Sequence, residues 1–90
     1  MNKDTRKQIA SVLSQLEALR GQIEDLKSEV ETMKDEEREK FDNMPEGLQQ
    51  GDAGQAIDAA ANALEEAASS FDELDSNFDE LLGHLNTASE

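Results

Sequence analysis

Cysteine, tyrosine and tryptophan are absent from this 90-residue sequence, which has one proline and three phenylalanines. Without cysteine the chain has no disulfide, no thiolate metal ligand and no cysteine nucleophile. So few aromatic side chains argue against a large preformed pocket. No apolar run approaches the roughly 20 residues that span a bilayer, and the N-terminus lacks the apolar segment of a signal peptide. We therefore expect a soluble, cytoplasmic protein that does not bind a membrane.

Positive charge is missing from the second half of the chain. Residues 1–40 contain all eight Lys and Arg residues beside ten acids, a net charge of 8 − 10 = −2. Residues 41–90 contain twelve acids and no Lys or Arg, a net charge of −12. Such a chain is repelled by DNA, RNA and anionic lipid, so we expect no direct nucleic-acid binding. A basic protein is the natural partner.

Two heptad series dominate the sequence. With Ile9 at position a, the a and d positions are apolar as far as Met33, and a second series runs from Ile57 to Ala88. They predict an all-α fold in one domain, 1–90, with helix 1 at about 4–41, a joint at 42–51 and helix 2 at about 52–87. We expect an antiparallel coiled-coil hairpin that dimerises into a four-helix bundle. The expected oligomer seam contains Leu13, Leu16, Leu19, Ile23, Leu26, Leu64, Phe71, Leu74, Phe78 and Leu81. In such a bundle the second copy would cover apolar residues beside the hairpin seam, namely Leu13, Ala61, Ala68 and Leu82.

The joint "FDNMPEGLQQGD" interrupts both series. Pro45 ends the first helix and allows one helical turn to begin at its own position. Asp52 and Gln55 have the spacing of a capping box for the second helix. The apolar side chains of Phe41, Met44 and Leu48 are expected to fill the closed end of the hairpin. The stretch is predicted to be a structural turn, with a rival interpretation as a recognition tip formed by Asn43, Glu46, Gln49 and Gln50.

Carboxylates follow the heptads of the second helix at positions b and c. Two such helices side by side would carry one charge per ~2 Å, close to the one per ~1.7 Å of duplex DNA. No Lys or Arg lies on this helix to neutralise them, although a solvated helix face is also commonly acidic. The candidate partner-binding face is Asp58, Glu65, Glu66, Asp72, Glu73, Asp75, Asp79 and Glu80. On the first helix, Glu17, Glu24 and Glu31 each precede a Lys or Arg by three residues, which predicts stabilising surface pairs within that helix.

Catalytic and metal-binding patterns are not found. The carboxylates are predicted to be solvated, which leaves none with the raised pKa that a general acid needs. His84, the single histidine, lies at position g and is expected to be a partly exposed flank residue rather than a metal ligand or a catalytic base. The segment "DELDSNFDE" lacks the central glycine of a calcium loop. We expect no enzymatic activity, no metal and no cofactor.

The segment from Glu36 to Ala67, "EEREKFDNMPEGLQQGDAGQAIDAAANALEEA", resembles short acidic coiled-coil proteins of tailed bacteriophages that share an F-D-N-[LM]-P-E-x-L-Q joint. That family has no established activity. The resemblance implies a phage origin, a location in the cytoplasm of an infected bacterium, and interference with a host process or defence system.

These observations together predict a non-catalytic inhibitor or interaction protein. Its acidic face would mimic DNA and occupy a basic nucleic-acid-binding surface of a host or defence protein. One alternative is a structural or assembly coiled coil whose acidity only keeps it soluble. Another is an oligomeric sponge for a nucleotide signalling molecule, which would need cations for the phosphates. The cations available are Arg6, Lys7, Arg20, Lys27, Lys34 and Arg38.

Overall fold

The protein is an extended pair of long antiparallel helices. A computed structural model describes residues 2–90, which form α1 (Lys3–Asp42), α2 (Glu46–Gln49) and α3 (Asp52–Ala88), with no strand in that range. The hairpin measures 68 × 16 × 14 Å. Arg6 of α1 donates to the Glu90 carbonyl, and Arg38, 32 residues further on, contacts Asp58 at the start of α3. The all-helical fold with two long helices is thereby confirmed.

α1 begins and ends at residues that satisfy its free backbone groups. The Asn2 side chain accepts a hydrogen bond from the Thr5 amide at 2.8 Å, which caps the N-terminus. At the other end the Asn43 amide donates to Glu39 O at 3.0 Å. Pro45 follows two residues later and has no N–H to continue the ladder.

The joint contains one helical turn, α2, whose N-cap is Pro45. The Gln49 side chain donates from Nε2 to Phe41 O at 2.8 Å and so satisfies a carbonyl at the end of α1. Phe41 and Met44 are half-buried at the closed end of the hairpin. Leu48, which was expected to pack beside them, is instead 57% exposed. The turn of α2 places it on the outer side of the joint.

The capping box predicted for the second long helix is wrong. Gly51 is the N-cap of α3 and offers no side-chain hydrogen bond, while Asp52 is already the first helical residue. The Gln55 side chain donates to Gln50 O at 3.2 Å, satisfying a free carbonyl at the end of α2. α2 and α3 also meet closely at buried Gly54, where a Cβ atom would lie 2.3 Å from Gln49 O. The contact with α2 therefore determines how α3 begins.

The two long helices pack through positions a and e rather than a and d. The buried apolar residues are Ala61, Phe78 and Leu82, all at a or e of α3, and α1 has no fully buried residue. The half-buried stripe of α1 has alternating spacings of four and three, and it comprises Ile9, Leu13, Leu16, Arg20, Ile23, Lys27, Val30, Lys34, Glu37 and Phe41. Within residues 12–36 of α1 and 60–84 of α3, position d is exposed except at Ala67, which is half-buried.

The predicted seam is thereby divided. Leu13, Leu16, Ile23, Leu64, Phe71 and Phe78 are half-buried or buried in the hairpin, whereas Leu19, Leu26, Leu74 and Leu81 are exposed. Packing through position e also covers Ala61 and Leu82 within the hairpin, where the sequence predicted that a second copy would cover them. Arg20 and Lys27 at position e of α1 explain the difference, because their stems lie along the apolar contact while their charged ends reach α3.

Candidate functional site

One side of the hairpin is held by ion pairs between the helices. The guanidinium of Arg20 donates from Nε to Asp75 Oδ1 at 2.9 Å and from Nη2 to Asp79 Oδ1 at 2.8 Å. These hydrogen bonds raise the pKa of Arg20 above its ordinary value, against a smaller opposing effect of desolvation. Arg20 thus ties two successive turns of α3 to the middle of α1.

Lys27 and Arg38 repeat this arrangement toward the closed end. The Lys27 ammonium donates to Asp72, and that hydrogen bond raises the pKa of Lys27 from its ordinary value of 10.5, against a smaller lowering by desolvation. Arg38 lies 2.8 Å from Asp58 Oδ1 and 3.5 Å from Glu65 Oε2. Three cations of α1 therefore hold α3 at intervals along most of its length.

These pairs change the charge of the predicted acidic face. Five of its eight carboxylates pair with α1, namely Asp58, Glu65, Asp72, Asp75 and Asp79. Glu66, Glu73 and Glu80 have no ion-pair partner within residues 2–90. Eight carboxylates less three cations leave five net charges over ~33 Å, or one per ~7 Å, and one per ~3 Å for two hairpins. That is about half the charge density of duplex DNA, one per ~1.7 Å.

The cations that neutralise this face were expected to act within α1. Arg20 and Lys27 reach α3 instead of the glutamates three residues before them, and Lys34 lies 3.7 Å from Asp35. The sequence does contain the relevant pattern. Basic residues recur every seven positions at e of α1, and acidic residues recur every seven at b of α3. When the helices run antiparallel and pack through a and e, these two rows become neighbours.

Of the four residues of the predicted recognition tip, one is engaged within the joint and three are exposed. Gln49 is half-buried and its amide is bonded to Phe41 O. Asn43 and Gln50 cap the ends of α1 and α2, and Glu46 is the first residue of α2. All three have exposed side chains. Gln49 is therefore a structural residue of the joint.

The side opposite the ion pairs presents apolar residues to solvent. Successive helical residues are turned by 100°, which places d about 80° to one side of the a/e contact and b about 80° to the other. Reversing the second helix leaves d of both helices on the same side of the hairpin. We define the open face as positions d and g within residues 12–36 of α1 and 60–84 of α3. It consists of Val12, Gln15, Leu19, Gln22, Leu26, Glu29, Met33, Glu36, Ala60, Ala63, Ala67, Ser70, Leu74, Asn77, Leu81 and His84.

The open face holds most of the exposed large apolar side chains. In the described part of the chain seven such residues are at least 38% exposed, and six of them lie at position d, the exception being Leu48. The exposed fraction reaches 51% at Leu26. Shallow hollows lie between these side chains, one bounded by Val12, Leu19 and Gln22 and another by Ala67, Ser70 and Leu74. Projecting apolar residues that alternate with hollows are the form of a helix-packing surface.

The open face is also almost free of charge. Only Glu29 and Glu36 carry charge among its sixteen residues, with His84 neutral, in a chain in which 33% of residues are charged. His84, predicted to be partly exposed, is exposed. Among residues 2–90 no group of three or more His, Asp or Glu side chains is arranged to hold a metal ion. In the same range no helix has the length and apolar character needed to cross a membrane. The open face therefore differs in charge from the side of the hairpin that carries the interhelical ion pairs.

Comparison with known proteins finds no matching family model, curated protein or solved structure.

Proposed function

We propose that this chain is a non-catalytic coiled-coil protein that self-associates through its open face into a dimeric four-helix bundle and acts in assembly. The observation that carries this proposal is the alignment of Val12, Leu19, Leu26, Met33, Leu74 and Leu81 on one side of the hairpin. Burying the exposed part of each side chain contributes about 1 kcal/mol. A surface of this kind is typical of interaction sites rather than of monomers.

The size of the hairpin supports the same conclusion. Within residues 2–90 its buried apolar residues are Ala61, Phe78 and Leu82, in a rod 16 Å by 14 Å in cross-section. Chains this small bury a low fraction of their surface and commonly gain stability by oligomerisation. A second hairpin on the open face would convert a two-helix contact into a four-helix core.

The DNA-mimic function has weaker support, although the net charge of −14 and the column formed by Glu66, Glu73 and Glu80 still favour a basic partner. Cations of α1 neutralise much of the acidic face, so the remaining charge density is about half that of duplex DNA. We therefore propose an inhibitor of a basic host or defence protein as the second candidate. Self-association and basic-partner binding use opposite sides of the hairpin, so one protein can do both.

The nucleotide-sponge function has the least support. Arg20, Lys27 and Arg38 are engaged by carboxylates of α3, and Lys34 lies beside Asp35. Arg6 donates to the Glu90 carbonyl. A phosphate ligand would have to displace carboxylates from these cations, at a cost to hairpin stability.

Light scattering at graded salt tests the proposed function. Association through apolar side chains is insensitive to ionic strength, whereas contacts between charges weaken as salt screens them. We expect the mass of a dimer at both 0.05 M and about 1 M NaCl, with the dimer slightly stronger at high salt because two negative copies repel less. A monomer at both salt concentrations, at high protein concentration, would contradict it.

A further inference from the structure

The side chains of the open face increase in size along α3. Its d positions are small toward the joint, at Ala60 and Ala67, and large toward the C-terminus, at Leu74 and Leu81. Well-packed helices place small residues opposite large ones. If α3 lies on α3 of a second copy in the reverse direction, Ala60 faces Leu81 and Ala67 faces Leu74. The gradient is then complementary to itself.

The matching face of α1 has large residues throughout, Val12, Leu19, Leu26 and Met33. The reverse pairing of α1 with α1 places Leu19 opposite Leu26 in two equivalent contacts. It also brings the charged g positions, Glu29 and Glu36, opposite the uncharged positions Gln15 and Gln8. Glutamine amides can donate hydrogen bonds to these carboxylates. No pair of like charges is brought together on the open face.

Both helices require the same symmetry axis. The pairing on α1 is centred between Leu19 and Leu26, near Gln22, and the pairing on α3 is centred between Ala67 and Leu74, near Ser70. The interhelical ion pairs place Gln22 level with residues 73–77 of α3. The two centres therefore lie within about two helical turns, ~10 Å, along the hairpin. A single two-fold axis midway between them lies within about one helical turn of each centre.

We infer that the partner on the open face is a second copy of this chain, reversed end for end, with α1 on α1, α3 on α3 and the two joints at opposite ends of the bundle. This inference rests on the proposed function and specifies its geometry. The hairpin is 68 Å long and 16 Å wide, and the open face as defined covers ~36 Å of that length. A second copy that covers the whole side of the hairpin would bury up to roughly 1,000 Å² per copy, compared with the ~800 Å² per partner of a standard stable interface.

The alternative dimer has both joints at one end and places α1 of each copy across α3 of the other. Met33 then lies over alanines while Leu19 lies over leucines, so the gap between the hairpins is uneven along the bundle. The two dimers differ in which residue of the second copy lies beside Gln22. Gln22 lies beside Gln22 of the second copy in the reversed dimer, and beside Leu74 or Asn77 of the second copy in the alternative.

Single cysteines distinguish the two arrangements, because the natural chain has none. Gln22→Cys introduces a thiol at the inferred axis. Gln15→Cys is the matched control, an exposed glutamine at the same heptad position one heptad away, where the two thiols stand roughly 20 Å apart. Both variants are oxidised under mild conditions and resolved by non-reducing electrophoresis. Their dimer content before oxidation is measured by sedimentation, and their helicity by circular dichroism.

We expect Gln22→Cys to form a disulfide-linked dimer about tenfold faster than Gln15→Cys, because a disulfide needs Cα atoms within about 7 Å. A mixture of Gln15→Cys and Glu29→Cys chains should also cross-link. Sedimenting dimers in which Gln22→Cys fails to cross-link, or in which Gln22→Cys links instead to Asn77→Cys, would overturn the reversed arrangement and leave the proposed function standing. Monomers in sedimentation would overturn both.

Discussion

Arg20 on α1 donates to Asp75 on α3 at 2.9 Å, across 55 residues of sequence. The same guanidinium holds Asp79 one turn further on. A guanidinium that bonds two carboxylates of one helix fixes the register of that helix and determines which of its sides faces the partner helix. The pair therefore directs the b side of α3 toward α1 and leaves position d of both helices exposed.

Replacing Arg20 by glutamine should lower the melting temperature at low salt. The variant leaves Asp75 and Asp79 as uncompensated like charges close together, and salt screens that repulsion. We expect the difference from the natural chain to shrink as NaCl is raised from 0.05 M to about 1 M, measured by circular dichroism. Lys40→Gln is the control, because Lys40 pairs with Glu37 within α1 and should show a smaller difference. Equal losses in the two variants would argue that Arg20 has no special role.

Removing the same number of charges from two rows of α3 should change the melting temperature differently. Asp72→Asn with Asp79→Asn removes acceptors of Lys27 and Arg20, so we expect a lower melting temperature. Glu73→Gln with Glu80→Gln removes two unpaired negative charges from a chain of net charge −14. That variant should melt at the same or a higher temperature, because self-repulsion decreases. The same result for both double variants would mean that the ion pairs do not hold the helices.

Alkaline pH should remove the contribution of Lys27. The hydrogen bond to Asp72 raises the pKa of Lys27 in the folded chain, so its stabilising effect is complete below the unfolded pKa of 10.5 and is lost as the pH rises through the raised value. We expect the difference in unfolding free energy between the natural chain and Lys27→Gln to stay constant from about pH 6 to about pH 9 and then to fall. Urea unfolding at each pH measures it.

Lys27→Arg is the control for this alkaline loss, because arginine keeps its charge above about pH 12. The difference in unfolding free energy between Lys27→Arg and Lys27→Gln should persist at the alkaline pH at which the difference between the natural chain and Lys27→Gln decreases. An advantage of the natural chain that persists unchanged well above pH 10.5 would contradict the assigned pair.

Two glycine-to-alanine variants should move stability in opposite directions. At Gly54 a Cβ atom would lie 2.3 Å from Gln49 O and 2.5 Å from Leu48 O, both backbone atoms. We expect Gly54→Ala to cost about 1–3 kcal/mol, as overpacking does. At Gly83, in the same helix, a Cβ atom meets nothing within 4 Å. Gly83→Ala should therefore stabilise the chain by about 0.5–1 kcal/mol. Chemical unfolding measures both, and a Gly54→Ala chain as stable as the natural one would show that α2 is free to move.

The long helices were predictable because the sequence patterns that indicate them are local and repeat along the chain. Heptad spacing, Pro45 and the glycines of the joint give ranges of about 4–41 and 52–87, against Lys3–Asp42 and Asp52–Ala88 in the structure. The packing side was not predictable in this way. Apolar residues occupy d as fully as a, so periodicity alone favours a/d. The choice of a/e depends on Arg20, Lys27 and Arg38 meeting carboxylates about 20 to 60 residues away.

The start of α3 was mispredicted for a similar reason. Asp52 and Gln55 fit a capping box by spacing, but the one-turn helix α2 brings the carbonyls of Leu48 and Gln49 against Gly54. A tertiary contact of this kind cannot be read from four residues of sequence. The sequence overestimates the charge on the candidate acidic face because the net charge of each half of the chain was summed separately. In the fold, cations of the first half lie beside carboxylates of the second half.

Sedimentation equilibrium of two leucine-to-glutamate variants tests the central claim most directly. Leu26 lies on the open face and is 51% exposed, whereas Leu48 lies on α2, outside that face, and is 57% exposed. The two substitutions make the same chemical change at equally accessible sites. We expect the natural chain and Leu48→Glu to be dimers, and Leu26→Glu to dissociate at least about tenfold more readily, because its carboxylate would be buried without a partner. If Leu26→Glu remains as dimeric as Leu48→Glu, the open face is not where this protein associates.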